Sequence, residues 1–461
     1  MSIISTFIVP HPPLIIPKIG RGQEMKIEKT IKSYDNIAKK IAEIQPETIV
    51  IISPHSVMYS DYIHISPGKK ASGNFREFGE TEIKLEVNYD EEFANKLAQL
   101  SEEEEIHAGT LGEKNKSLDH GTMVPLFFVD KYYKDYNIVR ISISRLSFIE
   151  HYNFGKCISK IADELNKKVI VIASGDLSHM LREEGPYGFT EEGPIFDRET
   201  TEALSRGDFM RLLTFDEDFC EIAAECGLRS FIIMAGALDG KSVKSKLLSY
   251  EGPYGVGYSV ASFDVIGIDD NRHFDKIYNK IEEERLNLII EKEDEYVRLA
   301  RNSLESYIND KKIIEKTDKL PNEMLTNKSG VFVSLKLNGQ LRGCIGTISP
   351  TTNSVADEII QNAISSGLED PRFNPVNKNE LRKLEYSVDV LGVAEAIESI
   401  NELDVKKYGV IVTKGKKKGL LLPNLEGVNS VEEQVSISLK KAGISSNESY
   451  QLERFEVVRH K

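Results

Sequence analysis

Four short, unbroken apolar runs constrain this chain more than any other feature. Ile3–Val9 (IISTFIV), Thr48–Ile52 (TIVII), Asn137–Ile143 (NIVRISI) and Val169–Ala173 (VIVIA) are rich in β-branched residues and bounded by turn residues. A strand with one wet face alternates apolar and polar side chains. A strand that is apolar throughout is covered on both faces, as in a parallel or mixed sheet. Between the runs lie segments with apolar residues at helical spacing, Lys26–Ile44 and Phe154–Leu165 among them. Strand, helix, strand at this rhythm predicts an α/β domain over residues 1–268, a mixed sheet flanked by helices.

A different texture follows. From Asp269 to about Leu304 the chain is dense in charge, with Ile, Leu and Val returning every three or four residues. This predicts a charged helical linker over 269–290, whose charge run is a solvated helix face. A smaller α+β domain is expected over 291–461. In VFVSLKLNGQLRGCIGTI, Asn338-Gly339 sits between two alternating segments, the strongest short-range hairpin signal.

Composition narrows the function classes. The chain has 461 residues, with 59 Lys and Arg against 73 Asp and Glu, a net charge of -14. That balance argues against a large nucleic-acid surface or anchoring on anionic lipid. Cys157, Cys220, Cys226 and Cys344 form no C-x-x-C pair, which excludes a zinc ribbon and a thioredoxin motif and suits a reducing compartment. The start, MSIISTFIVPHPPLIIP, has no basic flank and is cut by four prolines, so it does not read as a signal peptide. No run is long enough to span a bilayer. A cytoplasmic protein is expected. GALDGKS (Gly236–Ser242) lacks the glycine spacing of a phosphate loop and reads as a helix-terminating turn.

Histidines recur at one topological position. His11 follows the first run by two residues, His55 follows the second by three, and His179 lies six beyond the fourth. In open α/β sheets ligands gather outside the carboxyl ends of the strands, so three parallel strands would bring these imidazoles to one region. His120 precedes an apolar stretch of helical character, and an imidazole at a helix N-terminus tends to stay neutral. His64, His107, His151 and His273 show no such placement and read as surface or loop residues. Two imidazoles and a carboxylate on one face hold non-haem Fe(II) with positions left open. Glu225, in IAAECGLRS, is the candidate carboxylate, and an ordinary helix N-terminal Glu is the competing reading.

VPHPPLI, ISPHS, LDHGTMVPL, ASGDLSH, AECGLRS and GPYGVGYSVASF occur in that order and together resemble the class III extradiol ring-cleavage dioxygenases, the LigB-like superfamily, over nearly all of residues 1–265. The resemblance implies His11, His55 and Glu225 as iron ligands, His120 as a residue orienting substrate or oxygen, and His179 as the acid/base. It implies Fe(II), with zinc or another divalent metal as alternatives, and a small catechol-like aromatic substrate with O2. The Memo family shares the fold without established ring cleavage. Its proteins place a His at the position of His179 on the metal, and a Cys near Glu225–Cys226. The Memo-like alternative implies a radical SAM partner and an unidentified modification.

The second domain, with LRGCIG (Leu341–Gly346), DPRFNPV (Asp370–Val376), YSVDVL and LLLPNLEG, resembles the AMMECR family, also called AmmeMemoRadiSam system protein A. A role as an interaction module is one expectation for it. Strand alternation puts Arg342 and Cys344 on one face. With His460 the only histidine here, Cys344 is expected to be structural.

Overall fold

The computed structural model describes residues 2–112, 114, 117–425 and 427–461. The chain divides into two compact units, Met1–Lys280 and Ile281–Lys461. The division falls inside a single helix, Phe274–Lys292, so the charged stretch expected as a linker is mostly regular helix.

In the first unit six strands form one mixed sheet. They are β1 (Ile3–Val9), β2 (Thr48–Ile52), β3 (Asn137–Ile141), β4 (Val169–Ser174), β5 (Lys241–Glu251) and β6 (Tyr258–Ile268), in the order β3-β2-β4-β1-β6-β5. The first four in that order are parallel; β6 and β5 close the sheet antiparallel. Every residue of β2 and β4 is buried, because two cores share these strands. Ile8, Val50, Ile52 and Val171 pack under one face, and Phe7, Val9, Ile49, Ile51 and Ile172 under the other. Each such side chain removed from water contributes roughly 1.5–3 kcal/mol, which is why the runs tolerate no alternation.

Four helices matter for the site and its surroundings: α1 (Glu28–Ile44), α2 (His120–Val129), α3 (Phe148–Leu165) and α4 (Leu228–Ala237). Register aligns the strand ends. Ile8 and Ile52 both pair with Ala173, and Val9 pairs with Ser174, so the chain leaves β1, β2 and β4 along one edge of the sheet. No described helix is long and apolar enough to cross a membrane.

The second unit has antiparallel sheets flanked by helices. The first is built from β7 (Val331–Leu337), β8 (Gln340–Gly346), β9 (Leu384–Leu391) and, numbered last in the chain, β14 (Val457–His460), in the order β8-β7-β9-β14. The second contains β10 (Glu395–Ile397), β11 (Gly409–Lys414), β12 (Lys417–Leu421) and β13 (Gln451–Phe455), ordered β10-β13-β11-β12. Asn338 and Gly339 have φ of 52° and 80°, the paired positive values of the tight hairpin turn that joins β7 to β8. Cys344 sits in β8, its N–H donating to Asp370 and its thiol beside the Ser334 hydroxyl at 3.2 Å. Burial pushes that thiol up from its ordinary pKa. Arg342 pairs with Glu380, while His460 stacks on Tyr296 and bonds Asp294.

Candidate metal centre and its pocket

His11 is the most firmly held of the imidazoles. Pro10 precedes it and Pro12 and Pro13 follow, and the Tyr34 hydroxyl donates to the Pro10 carbonyl. The His11 N–H donates to Asp176 Oδ1 (2.9 Å), and Nδ1 lies 3.0 Å from Ser174 Oγ at the end of the neighbouring strand. That leaves Nε2 facing the others: 3.0 Å from His55 Nε2 and 3.6 Å from Cys226 Sγ. His11 is 2% exposed. Burial first, then the neighbouring His55, His120 and His179, hold it well below the usual imidazole range.

His55 leaves the end of β2 through Ser53, whose Oγ accepts the His55 N–H. The same Ser53 hydroxyl donates to Asp119, which caps α2 by accepting from Thr122 N–H. His120 is therefore the first residue of α2, and its ring lies 4.1 Å from His55 and 5.3 Å from His11, centroid to centroid. Burial, then His55, lowers its pKa to about 4, and burial lowers that of His55 as well. His179 Nδ1 donates to the Ala224 carbonyl at 2.5 Å, which fixes the tautomer and leaves Nε2 with its lone pair. The four expected histidines line one cavity of about 670 Å³, together with Phe78, Tyr187 and Tyr258.

Glu225 is not brought into this group. Its Oε2 accepts the Leu228 N–H at 2.6 Å, the ordinary work of an acid at the start of α4. The adjacent residue takes the place beside the histidines: one ligating atom each from His11, His55 and Cys226 lie within 4.8 Å of one another. Two glycines make this possible. A Cβ on Gly175 would stand 2.2 Å from the Gly227 Cα, so the turn after β4 and the turn before α4 touch backbone to backbone. The contact also brings the Asp176 N–H to Cys226 Sγ (3.3 Å). Gly175→Ala should destabilise the protein by about 1–3 kcal/mol through this overlap. Urea unfolding measures it, and an unchanged midpoint would mean that the turns do not press on each other.

Asp176 is the site residue that sequence reasoning passed over, although it lies in ASGDLSH. Its Oδ2 is 3.9 Å from His11 Nε2, and burial pushes its pKa to about 7. The available signal was its position two residues past the end of a fully buried strand. Two histidines expected at the surface are instead buried. His151, in α3, accepts the Ser144 N–H, and His64 lies in the short strand Ile63–His64.

The donor set fits a divalent ion: two imidazole nitrogens kept neutral by burial and one sulfur, converging from three loops. Imidazole and thiolate together favour iron, zinc or copper over magnesium or calcium.

Fold and pocket define the class. The family model described as "Catalytic LigB subunit of aromatic ring-opening dioxygenase" matches residues 5–261, and the chain belongs to this family. The AMMECR1 family model matches residues 297–460. The chain is 47% identical over 469 residues to Protein CA_C1420 of Clostridium acetobutylicum, covering 100% of both chains. A protein of Thermotoga maritima is 46% identical over 171 residues, which is 37% of this chain and 98% of that one. Among solved structures, the uncharacterized protein PH0010 from Pyrococcus horikoshii is 34% identical, covering 36% of this chain and 88% of its own, with a TM-score of 0.34. The uncharacterized protein JW3007 from Escherichia coli K12 is 16% identical, covering 57% of this chain and 100% of its own, with a TM-score of 0.32.

Proposed function

We propose that the first unit is a metal-dependent oxidoreductase of the ring-opening type, acting with O2 on a small aromatic molecule that carries adjacent hydroxyls. The observation that carries this reading is the convergence of four imidazoles on one cavity walled by Phe78, Tyr187 and Tyr258. His11, His55 and Cys226 would hold the metal. Divalent iron bound there would supply Lewis acidity and an electron path between an aromatic diol and dioxygen. The remaining work belongs to the chain. His179, with its proton fixed on Nδ1, offers the Nε2 lone pair to a substrate hydroxyl and returns the proton to the product. His120, neutral and packed edge-on against Phe78 (5.3 Å), orients substrate or oxygen. Tyr187, 5.1 Å from the His179 ring, offers a flat face to an aromatic ring.

Cys226 favours a second reading. The carboxylate expected beside two histidines is replaced by a thiol, which suits a Memo-like enzyme without ring cleavage, working with a radical SAM partner. The second unit would then serve as the module that meets the partner. An oxygen electrode separates the readings. Anaerobically iron-loaded protein, given a panel of catechols, should consume O2 and yield a coloured ring-opened product with at least one. Silence across the panel, with iron bound, would overturn ring cleavage in favour of the second reading.

A further inference from the structure

A second cluster lies at the opposite edge of the sheet from the histidine pocket, where β6 ends and β5 begins. Asp239 sits in the turn before β5, while His273 and Asp275 open the helix Phe274–Lys292. One ligating atom from each lies within 4.8 Å of the other two. Asp275 is 8% exposed, and its Oδ2 is bonded to Lys156 at 2.5 Å. Its Oδ1 is buried with no hydrogen-bond donor among the described residues. A buried acceptor left this way is unfavourable by about 1–3 kcal/mol, more when charged, and native proteins seldom keep one without an ion or water to satisfy it.

The neighbours are arranged as supports. The Tyr152 hydroxyl donates to Asp239 Oδ1 at 2.7 Å, which orients that carboxylate. Asp239 Oδ2 lies 2.7 Å from His273 Nδ1, so these two atoms face each other closely enough for one ion to take the place of the proton they share. Lys241, the other nearby ammonium, is turned away to Ser159. Two carboxylates against one Lys156 leave the cluster one positive charge short of neutral, and a neutral imidazole adds none.

We propose that Asp239, His273 and Asp275 bind a divalent transition ion, Zn2+ or Mn2+, which fastens the first turn of this helix to the turn before β5. Oxygen and nitrogen donors without sulfur accept Mn2+ as well as Zn2+, whereas the thiol at the other site selects the softer ion. The site stands whether or not the histidine pocket binds metal.

The test uses full-length protein with His11→Ala and His55→Ala combined, so that the pocket contributes nothing. After incubation with Zn2+ or with Mn2+ and desalting, one ion per chain should remain, and either ion should raise the melting temperature. Adding His273→Gln or Asp275→Asn should remove both effects. Adding Lys156→Gln, which breaks the ion pair but keeps both oxygens of Asp275, should retain the ion. If Asp275→Asn does not fold, the half-exposed His273 decides through His273→Gln. No ion in the double variant, or an ion that survives His273→Gln with native circular dichroism, would overturn the proposal.

Discussion

Cys226→Ala protein should come off a desalting column without the ion that Glu225→Ala protein retains. Removing a group that only supports a metal ligand weakens affinity about 10–100-fold. Removing one of three donors leaves the ion weakly held, so the loss should exceed that range. Glu225→Ala removes the acceptor of the Leu228 N–H, a cap whose deletion costs about 1 kcal/mol of stability and no metal. Metal content of the two variants, prepared in parallel under anaerobic conditions, is the measurement. An empty Glu225→Ala protein beside a loaded Cys226→Ala protein would reverse the assignment and restore the two-histidine, one-carboxylate set.

The second large effect belongs to His179. Its Nδ1 is committed to the Ala224 carbonyl, and its ring lines the cavity wall. A positioned acid/base contributes roughly 10²–10⁴-fold to rate and little to metal affinity. His179→Ala should therefore keep its metal and lose turnover by that factor. The pH profile carries a second signature. Burial lowers the His179 pKa more than the Ala224 carbonyl raises it, so the base stays unprotonated as pH falls through the ordinary imidazole value near 6.5. The acid limb of kcat/KM should lie below 6.5 in the parent and vanish in the variant. A His179→Ala protein that arrives without metal would make this imidazole a ligand instead.

The fold was legible because burial on two faces leaves a plain mark. A run such as TIVII has no polar position to spare, and three such runs, each followed within six residues by histidine, foretold which loops would meet. Glu225 and Cys226 were harder to separate. They are adjacent, and only the angle at which the turn enters α4 decides which side chain faces β1. That angle is set by Gly175 against Gly227, a contact 52 residues apart that no local pattern announces. Asp176 was hidden for a similar reason: its environment comes from His11 in the loop after β1 and Cys226 in the turn before α4. His151 and His64 lie buried inside a helix and a strand, where a histidine has the same local sequence as an exposed one.

The place of β1 in the strand order bears on how the molecule is made. The strand that comes earliest in this sheet is not an edge: β1 lies between β4 and β6, which end at Ser174 and Ile268. As the nascent chain emerges, Ile3–Val9 waits for a neighbour 160 residues away, and then for another nearly 100 residues later. Pairings at such distances form slowly and expose apolar edges meanwhile. A ribosome-bound fragment ending before Tyr258 would carry all four pocket histidines yet leave β1 with one open flank. His11 depends on that strand, so the assembled pocket is a late product of biosynthesis, completed only when nearly the whole first unit has cleared the exit tunnel.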